Sequence, residues 1–458
     1  MSELFDPALL LKYSQAGPRY TSYPTAPAFS AEFGEKEYRE LLSKKERQNT
    51  PLSLYFHIPF CESVCYFCAC SVIYTRIREK ADPYTDLVIA EMDLIQQSLG
   101  KNRPVEQLHW GGGTPTFLAP EKMGRFFQEI RKRFSFSPDA EISVELDPRE
   151  VKEGHIQILR ENGFNRASIG VQDLDDAVQK AIHRIQPFEM SAKVVHDLRA
   201  AGFQGVNIDL IYGLPLQTRE SFSKTIDGVL SLRPDRFSLF NFAYLPWLKK
   251  HQRLIHEEDL PDSSTRLDIF RMAVERFLDA GYVYIGMDHF ALPDDELCRA
   301  QENGTLHRNF QGYTTKGGLD LIGFGLTSIG ELADAYAQNH KDMVKYREAV
   351  RAGCLPVERG LILSEDDRIR KAVIMDLINH FRLDKAKIER EFQINFDEYF
   401  REDMNSLSGF IKDGLIVLNE DGISVSRPGR FVIRNICMAF DAHLRTLQEK
   451  GQRFSRTV

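Results

Sequence analysis

Cys61-Glu62-Ser63-Val64-Cys65-Tyr66-Phe67-Cys68 sets three cysteines in the spacing C-x-x-x-C-x-x-C. Three thiolates so placed can hold three irons of a cubane and leave the fourth uncovered, and an iron with an open site can do chemistry. Zinc is the weaker reading, because a zinc site wants a second ligand pair at a distance and Cys298, Cys354 and Cys437 are scattered singly. A disulfide framework fits less well still. Seven cysteines in 458 residues is sparse and odd in number, and four of the seven sit at 61–70, which suits a reducing compartment.

With 43% hydrophobic residues the chain is long enough for one large α/β domain and a smaller one. Met1-Ser2-Glu3-Leu4-Phe5-Asp6 lacks a basic and apolar leader pattern, and no apolar run approaches bilayer-spanning length, which points to the cytosol and away from a membrane. A net charge of -7 argues against general nucleic-acid binding and gives no overall steering of an anionic substrate, so local arginines must hold an acidic one.

Gly17-Pro18-Arg19-Tyr20-Thr21-Ser22-Tyr23-Pro24-Thr25 reads as an extended arm lying on the main domain. From Leu52 onward, β-prone runs at 52–58, 107–110, 141–146, 166–171, 205–211 and 236–242, with a seventh at 282–287, alternate with helical patterns at 84–97, 120–134, 151–162, 191–201 and 221–232. Gly100, Gly163 and Gly202 serve as C-caps. Such repeats predict parallel strands with right-handed crossovers. The unusual residues fall just after strand ends: the cysteine loop, Gly111-Gly112-Gly113-Thr114-Pro115, Asp147-Pro148, Gln172-Asp173 and Gly213-Leu214-Pro215. That is the catalytic face of a parallel barrel, and equally the ligand edge of an open doubly wound sheet. Beyond Ser364 the pattern predicts helices over 366–381 and 396–413. A hairpin follows around Asn419-Glu420-Asp421-Gly422, giving a winged-helix-like module. Its charges are interspersed without a basic stripe, which favours a lid or packing module over nucleic-acid binding.

With Tyr55, the cysteine loop and the triple-glycine turn, the chain resembles the oxygen-independent coproporphyrinogen III oxidase family of the radical S-adenosylmethionine superfamily. The likeness runs through the arm at 17–25, Leu54-Tyr55-Phe56-His57-Ile58-Pro59-Phe60-Cys61 and His109-Trp110-Gly111-Gly112-Gly113-Thr114-Pro115-Thr116. It continues through 207–215, Gly286-Met287-Asp288-His289-Phe290, His307-Arg308-Asn309-Phe310-Gln311-Gly312-Tyr313-Thr314-Thr315 and Arg434-Asn435-Ile436-Cys437-Met438. The resemblance implies an α/β fold, an incomplete parallel (β/α)6 barrel at 51–290 with an N-terminal arm at 1–50. An extension and substrate-side segment at 291–363 and a mainly helical C-terminal domain at 364–458 complete it. It further implies a cytosolic monomer that turns two propionates of coproporphyrinogen III into vinyls. The reaction would use a 4Fe-4S cluster, two molecules of S-adenosylmethionine, an electron donor such as flavodoxin or ferredoxin, and an electron acceptor that the sequence does not identify.

The same resemblance assigns roles. Cys61, Cys65 and Cys68 would be the cluster ligands. Cys70 follows in a C-x-C step that the family shares without ligation, and substrate-side chemistry and packing remain open for it. Tyr55, Phe67, Gly112, Glu145 and Ile329 would surround the cluster-bound S-adenosylmethionine; Gly113, Thr114, Gln172, Arg184, Asp209 and Ala243 would hold a second. The residues' own chemistry agrees in places. Glycines let a backbone approach a ligand, although a tight turn needs them too. Glu145 at a strand end can accept from ribose hydroxyls or ammonium, or form a surface ion pair. Asp209 within a β-branched strand needs a partner if buried, which a structural salt bridge would also supply. The run from His307 to Tyr313 suits propionates and a flat tetrapyrrole, with Arg308 favoured over His307, and Arg19 and Tyr20 are further candidates. Tyr55, Cys70 and Arg308 are the catalytic candidates. Against the family pattern the chain carries Ala69, Ser71 and Tyr244 where glycine, asparagine and histidine are usual. A haem chaperone and a radical enzyme of haem utilisation are the alternatives, and Cys70 and the arm argue against the chaperone.

Overall fold

Alternation along the strands sets the architecture. In 142–146 and 166–172 the side chains of Ile142, Val144, Leu146, Ala167, Ile169 and Val171 are buried on one face, while Ser143, Glu145, Arg166, Ser168, Gly170 and Gln172 lie half-exposed on the other. A period of two with one face apolar and one polar builds a sheet whose outer face takes helices and whose inner face can carry chemistry.

The computed structural model describes residues 7–100, 103–332 and 334–457; the leader reading of 1–6 lies outside them. Two compact units are present, one of 29–261 with 318–362, the other of the described residues of 1–28, 262–317 and 363–458. The first unit contains β1 Leu52–Ile58, β2 Val105–Gly112, β3 Phe136–Leu146, β4 Arg166–Gln172, β5 Gly205–Tyr212 and β6 Arg236–Asn241. Each pairs parallel to the next. Asp82–Gln96, Pro120–Arg133, His155–Glu161, Phe188–Ala200 and Arg219–Ser231 are the intervening helices. This is the incomplete (β/α)6 barrel. Pro120 opens its helix at the first turn, where its missing N–H costs nothing. Trp110 packs among Phe126, Phe127 and Phe164 with ring centroids 5.0 to 5.9 Å away, joining β2 to the outer helix layer.

The open edge of β1 is covered by a feature the strand pattern did not predict. β7 Asp320–Phe324 pairs parallel to β1, and β8 Ile329–Leu332, β9 Ala335–Asn339 and β10 Val357–Ile362 continue from it as an antiparallel meander. A short β-strand buried on both faces, as Asp320–Phe324 is, carries no alternation to read.

In the second unit, Val283–Gly286 pairs with His289–Ala291, and Arg382–Asp384, Gly422–Val425 and Ile416–Leu418 form a three-stranded sheet. The single helix expected over 396–413 is three short ones, Phe396–Tyr399, Arg401–Ser406 and Ser408–Lys412, because the chain bends at Phe400 and Leu407 to bury both side chains fully. The extended arm expected on the main domain is held by the C-terminal segment: Arg434 donates to the carbonyls of Gly17 (2.5 Å) and Pro18 (2.9 Å), and Tyr20 Oη donates to Asp441 (2.9 Å). No helix of the described residues is long and apolar enough to cross a membrane.

Asp320 opens β7 opposite Leu52 and accepts from Arg47 Nε (2.9 Å) and from the fully buried Arg103, which also donates to Thr50 O (2.7 Å). Removing one partner of such a cluster leaves buried charge uncompensated. Asp320→Ala is expected to lower unfolding free energy by about 3–5 kcal/mol in urea titrations, and an Arg103→Met/Asp320→Leu double variant to recover part of that loss.

Candidate active site

Among the described residues the cysteine loop has few hydrogen bonds of its own, Cys68 N to Cys65 O (3.1 Å) and one between the Cys68 and Cys70 thiols, so its shape is imposed largely from outside. At its base Phe60–Cys61 pairs parallel with Ile73–Tyr74. Its carbonyls are then taken in turn by side chains. His183 Nδ1 binds Val64 O (2.7 Å), Gln252 Nε2 binds Phe67 O (2.9 Å), His251 Nε2 binds Cys68 O (2.7 Å), Lys249 Nζ binds Cys70 O (2.8 Å) and His57 Nε2 binds Ser71 O (2.9 Å). Carbonyl oxygens only accept, so each of these ring nitrogens carries its proton. Phe67 and Tyr66 pack on a core of Val178, Ile182, Leu214, Phe242 and Ile255, and Tyr66 also stacks on His183 (5.0 Å). Tyr244 joins the same cluster. Ala69 has no positive φ, so nothing in the backbone asks for glycine there.

His57 fixes the state of Tyr55. Burial lowers the His57 pKa and its Nε2 proton is spent on Ser71, so Nδ1 is a bare acceptor and Tyr55 Oη donates to it at 3.0 Å. The Tyr55 ring stacks on His109 (5.9 Å). His109 Nε2 lies 3.2 Å from Glu145 Oε1, and the Gly112 amide donates to Glu145 Oε2 (3.1 Å). Desolvation works against the Glu145 charge, but the His109 hydrogen bond and charge with the Gly112 amide outweigh it and hold the carboxyl below its ordinary range. The glycine turn is shaped by protein neighbours: Gly112 has φ +114°, and a Cβ on Gly113 would come within 2.5 Å of Phe60 O. Thr114 spends its hydroxyl on Thr116 (3.1 Å).

On the far side of the loop Arg149 Nη2 donates to Cys65 Sγ (3.0 Å) and Arg184 Nη1 lies 3.5 Å from the same sulfur. Asp147 sits between the two guanidinium groups, 2.7 Å from Arg149 and 2.9 Å from Arg184. Burial pushes its carboxyl up, but Arg184 and Arg149 dominate and bring it down to about 2. Arg184 also donates to Gly170 O (2.6 Å), while its buried Nε has no partner among the described residues. Gly170 is the register partner of Asp209, and β4 then bulges into Gln172, whose φ of 69° is rare outside glycine. Asp209 accepts from Ser168 Oγ (2.8 Å) and Asn207 Nδ2 (2.7 Å). Among the thiols, burial pushes Cys61 up, and the hydrogen bond from Cys70, ahead of the nearby His251 and Lys249 charges, brings Cys68 down.

Comparison with known proteins decides the family. The family model described as Radical SAM superfamily matches residues 55–229, and the HemN C-terminal domain matches 363–432. Oxygen-independent coproporphyrinogen III oxidase of Escherichia coli K12 is 47% identical over 455 residues, covering 99% of this chain and 98% of that one. The protein of the same name in Pseudomonas aeruginosa is 45% identical, covering 99% of each. The solved structure of Escherichia coli coproporphyrinogen III oxidase (HemN), described as a radical SAM enzyme, superimposes with TM-score 0.92 at 46% identity, over 96% of this chain and 99% of that one. The chain belongs to the oxygen-independent coproporphyrinogen III oxidase family. It is thus a radical SAM oxidoreductase, a class that works with a 4Fe-4S cluster and S-adenosylmethionine.

Most of the expected site residues fall in one unit. Tyr55, Phe67, Gly112, Gly113, Thr114, Glu145, Gln172, Arg184, Asp209, Ala243 and Ile329 share one unit with Cys61, Cys65, Cys68 and Cys70. Fully buried Gln252 ties Phe67 to Ala243, donating to both carbonyls (2.9 and 3.1 Å). Ile329 crosses Gly323, the register partner of Tyr55, so closely that a Cβ there would lie 2.8 Å from Ile329 O. Arg308 belongs to the other unit, with its guanidinium 4.7 Å over the Tyr313 ring. His57, His109, Arg149, His183 and the 249–252 segment join the site without having been site candidates in the sequence. His57 and His109 stand inside motifs already singled out, and Arg149 follows Asp147-Pro148 directly, whereas nothing in Lys249-Lys250-His251-Gln252 announces its contact with the loop.

Desolvation pushes Asp209 up to about 6; Ser168 opposes this and the Glu145 charge adds to it. The folded chain thus holds a proton that the unfolded chain releases near pH 4. The stabilisation this proton gives is complete below about pH 4 and is lost as pH rises to about 6. In the protein without cofactors, Asp209→Asn is expected to remove that decline, seen as a flatter dependence of urea midpoint on pH between 4 and 6.

Proposed function

We propose that this chain oxidatively decarboxylates two propionates of coproporphyrinogen III to vinyls, giving protoporphyrinogen IX without oxygen in haem biosynthesis. Family membership at 47% identity over the whole length favours this over the haem chaperone and haem-utilisation alternatives. The observation that carries the site is the cysteine loop fixed against Arg149 and Arg184, beside a Glu145 carboxylate aimed by Gly112 and His109. Among the described residues no three His, Cys, Asp or Glu side chains converge on one metal ion, and a cubane does not ask that, since its thiolates bind separate irons. The residues fit such a cluster: three thiols on one loop, cations at Cys65 Sγ, and a depressed Cys68 thiol.

In this reading Cys61, Cys65 and Cys68 ligate the cluster. Bound together, the cluster and S-adenosylmethionine supply one-electron cleavage of the sulfonium and so the radical that takes hydrogen from a propionate β-carbon. The chain's own residues position and shield. Glu145, Tyr55, Phe67, Gly112 and Ile329 bind the first S-adenosylmethionine, with the Glu145 carboxylate accepting from its ammonium or ribose. Arg184 offers its unpartnered Nε, and Asp209 its carboxylate, to a second molecule with Gly113, Thr114, Gln172 and Ala243. The Thr114 hydroxyl is already engaged with Thr116, so its contribution is through the backbone. Arg308, with Nε and Nη1 buried and unpartnered among the described residues, anchors a propionate. Each propionate loses one hydrogen atom, carbon dioxide and one electron, and an external acceptor takes the electron. Reduction of the cluster calls for a donor such as flavodoxin or ferredoxin, and we place the protein in the cytoplasm as a monomer.

Anaerobic incubation of reconstituted protein with coproporphyrinogen III, S-adenosylmethionine, a low-potential reductant and an acceptor tests this by mass spectrometry. Loss of two carboxyl groups, abolished by Cys65→Ala, is expected; intact substrate with stoichiometric haem binding would refute the assignment. Arg308→Gln is expected to raise the KM for coproporphyrinogen III about 10- to 100-fold at unchanged iron content, the range for a lost charge-assisted hydrogen bond.

A further inference from the structure

Cys65 is the most enclosed cysteine of the loop, 7% exposed, and its sulfur is the one met by cations. Arg149 reaches it by a route that leaves little freedom. Asp147 accepts from the Arg149 backbone amide (3.1 Å), from Nε (3.0 Å) and from Nη2 (2.7 Å), and the same Nη2 points its second hydrogen at Cys65 Sγ. Asp147 is itself pinned by Arg184, so the guanidinium of Arg149 is held as a fixed donor. The trio Arg149, Asp147 and Arg184 carries one net positive charge. The other carboxylates near this edge, Glu62 and Glu150, are both engaged by Arg78.

We infer that Arg149, oriented by Asp147, is a positioning residue that sets the reduction potential of the iron–sulfur cluster through its hydrogen bond to Cys65 Sγ. The inference rests on the reading of Cys65 as a cluster ligand. When the cluster accepts one electron from the donor, the donor is oxidised by one unit and the cluster gains one negative charge, part of it on its sulfurs. A cationic donor fixed at 3.0 Å stabilises the reduced form more than the oxidised one and so raises the potential. Arg184 cannot substitute in full: it stands 3.5 Å from the sulfur and is committed to Gly170 O and Asp147. The two arginines therefore divide the work, Arg149 toward the thiolate and Arg184, with its buried free Nε, toward a cofactor on the barrel side.

The test is an anaerobic potentiometric titration, followed by electron paramagnetic resonance of the reduced cluster, on reconstituted wild type, Arg149→Gln and Arg149→Lys with iron and sulfide per chain measured in each. Arg149→Gln is expected to lower the reduced-to-oxidised ratio at fixed potential by about tenfold, a shift of about 59 mV for one electron. Arg149→Lys, which keeps the charge but not the planar fork, is expected to shift less in the same direction. If Arg149→Gln assembles no cluster, the lysine variant carries the test. An unchanged potential at full iron load in whichever variant assembles overturns the inference. Iron content of Cys65→Ala separates the two levels: a cluster retained there removes the ligand reading itself, whereas a cluster lost there with no shift at Arg149 removes this inference alone.

Discussion

A loop that carries three thiols and few internal hydrogen bonds must be given its shape by its surroundings, and the rest of this site depends on how that is done. Five carbonyls between Val64 and Ser71 are held by His183, Gln252, His251, Lys249 and His57. Backbone carbonyls left unpaired against the protein would each cost on the order of 1–3 kcal/mol, so the five contacts together offset much of the entropy lost in ordering the loop. The Lys249 cation and the ring N–H groups among them also place positive potential beside a loop meant to hold thiolates. Structure and electrostatics are thus served by the same atoms.

The barrel supplies the second half of the arrangement. Parallel strands in register bring Tyr55 beside His109, His109 beside Ser143, Glu145 beside Ser168, and Gly170 beside Asp209. One ring of inward residues therefore passes from a phenol through an imidazole and a carboxylate to a second carboxylate, and their states differ by environment. Glu145 is held ionised by His109 and the Gly112 amide. Asp209, buried with only neutral donors, is pushed up to about 6 by desolvation, with the Glu145 charge adding to it. Two carboxylates on β3 and β5, one strand apart across β4, that titrate apart suit two ligand groups of different charge.

Much of this was legible in the chain. The six parallel strands followed from short β-prone runs between helical periods, and the residues after strand ends fell where a parallel barrel puts its chemistry. The motifs from the arm to Arg434 carry the family resemblance in the sequence alone. What was not legible has physical reasons. Asp320–Phe324 is buried throughout and shows no period, so its pairing with β1 leaves no mark in the sequence. The reach of Gln252 to both Phe67 and Ala243 depends on the fold of a connecting segment. Arg149 and Asp147 are close in sequence, but that the pair points at Cys65 is a property of the strand end from which they leave. The arm's attachment to Arg434 and Asp441 joins residues more than 400 apart, beyond any local signal.

In the proposed function Cys61, Cys65 and Cys68 hold a cluster whose fourth iron stays open for S-adenosylmethionine. The direct measurement is electron–nuclear double resonance on the reduced, reconstituted protein with S-adenosylmethionine labelled at its amino nitrogen and carboxylate oxygen. Hyperfine coupling of both labels to the cluster is expected. A full complement of iron and sulfide with both labels uncoupled would show the fourth iron to be covered and would contradict that reading.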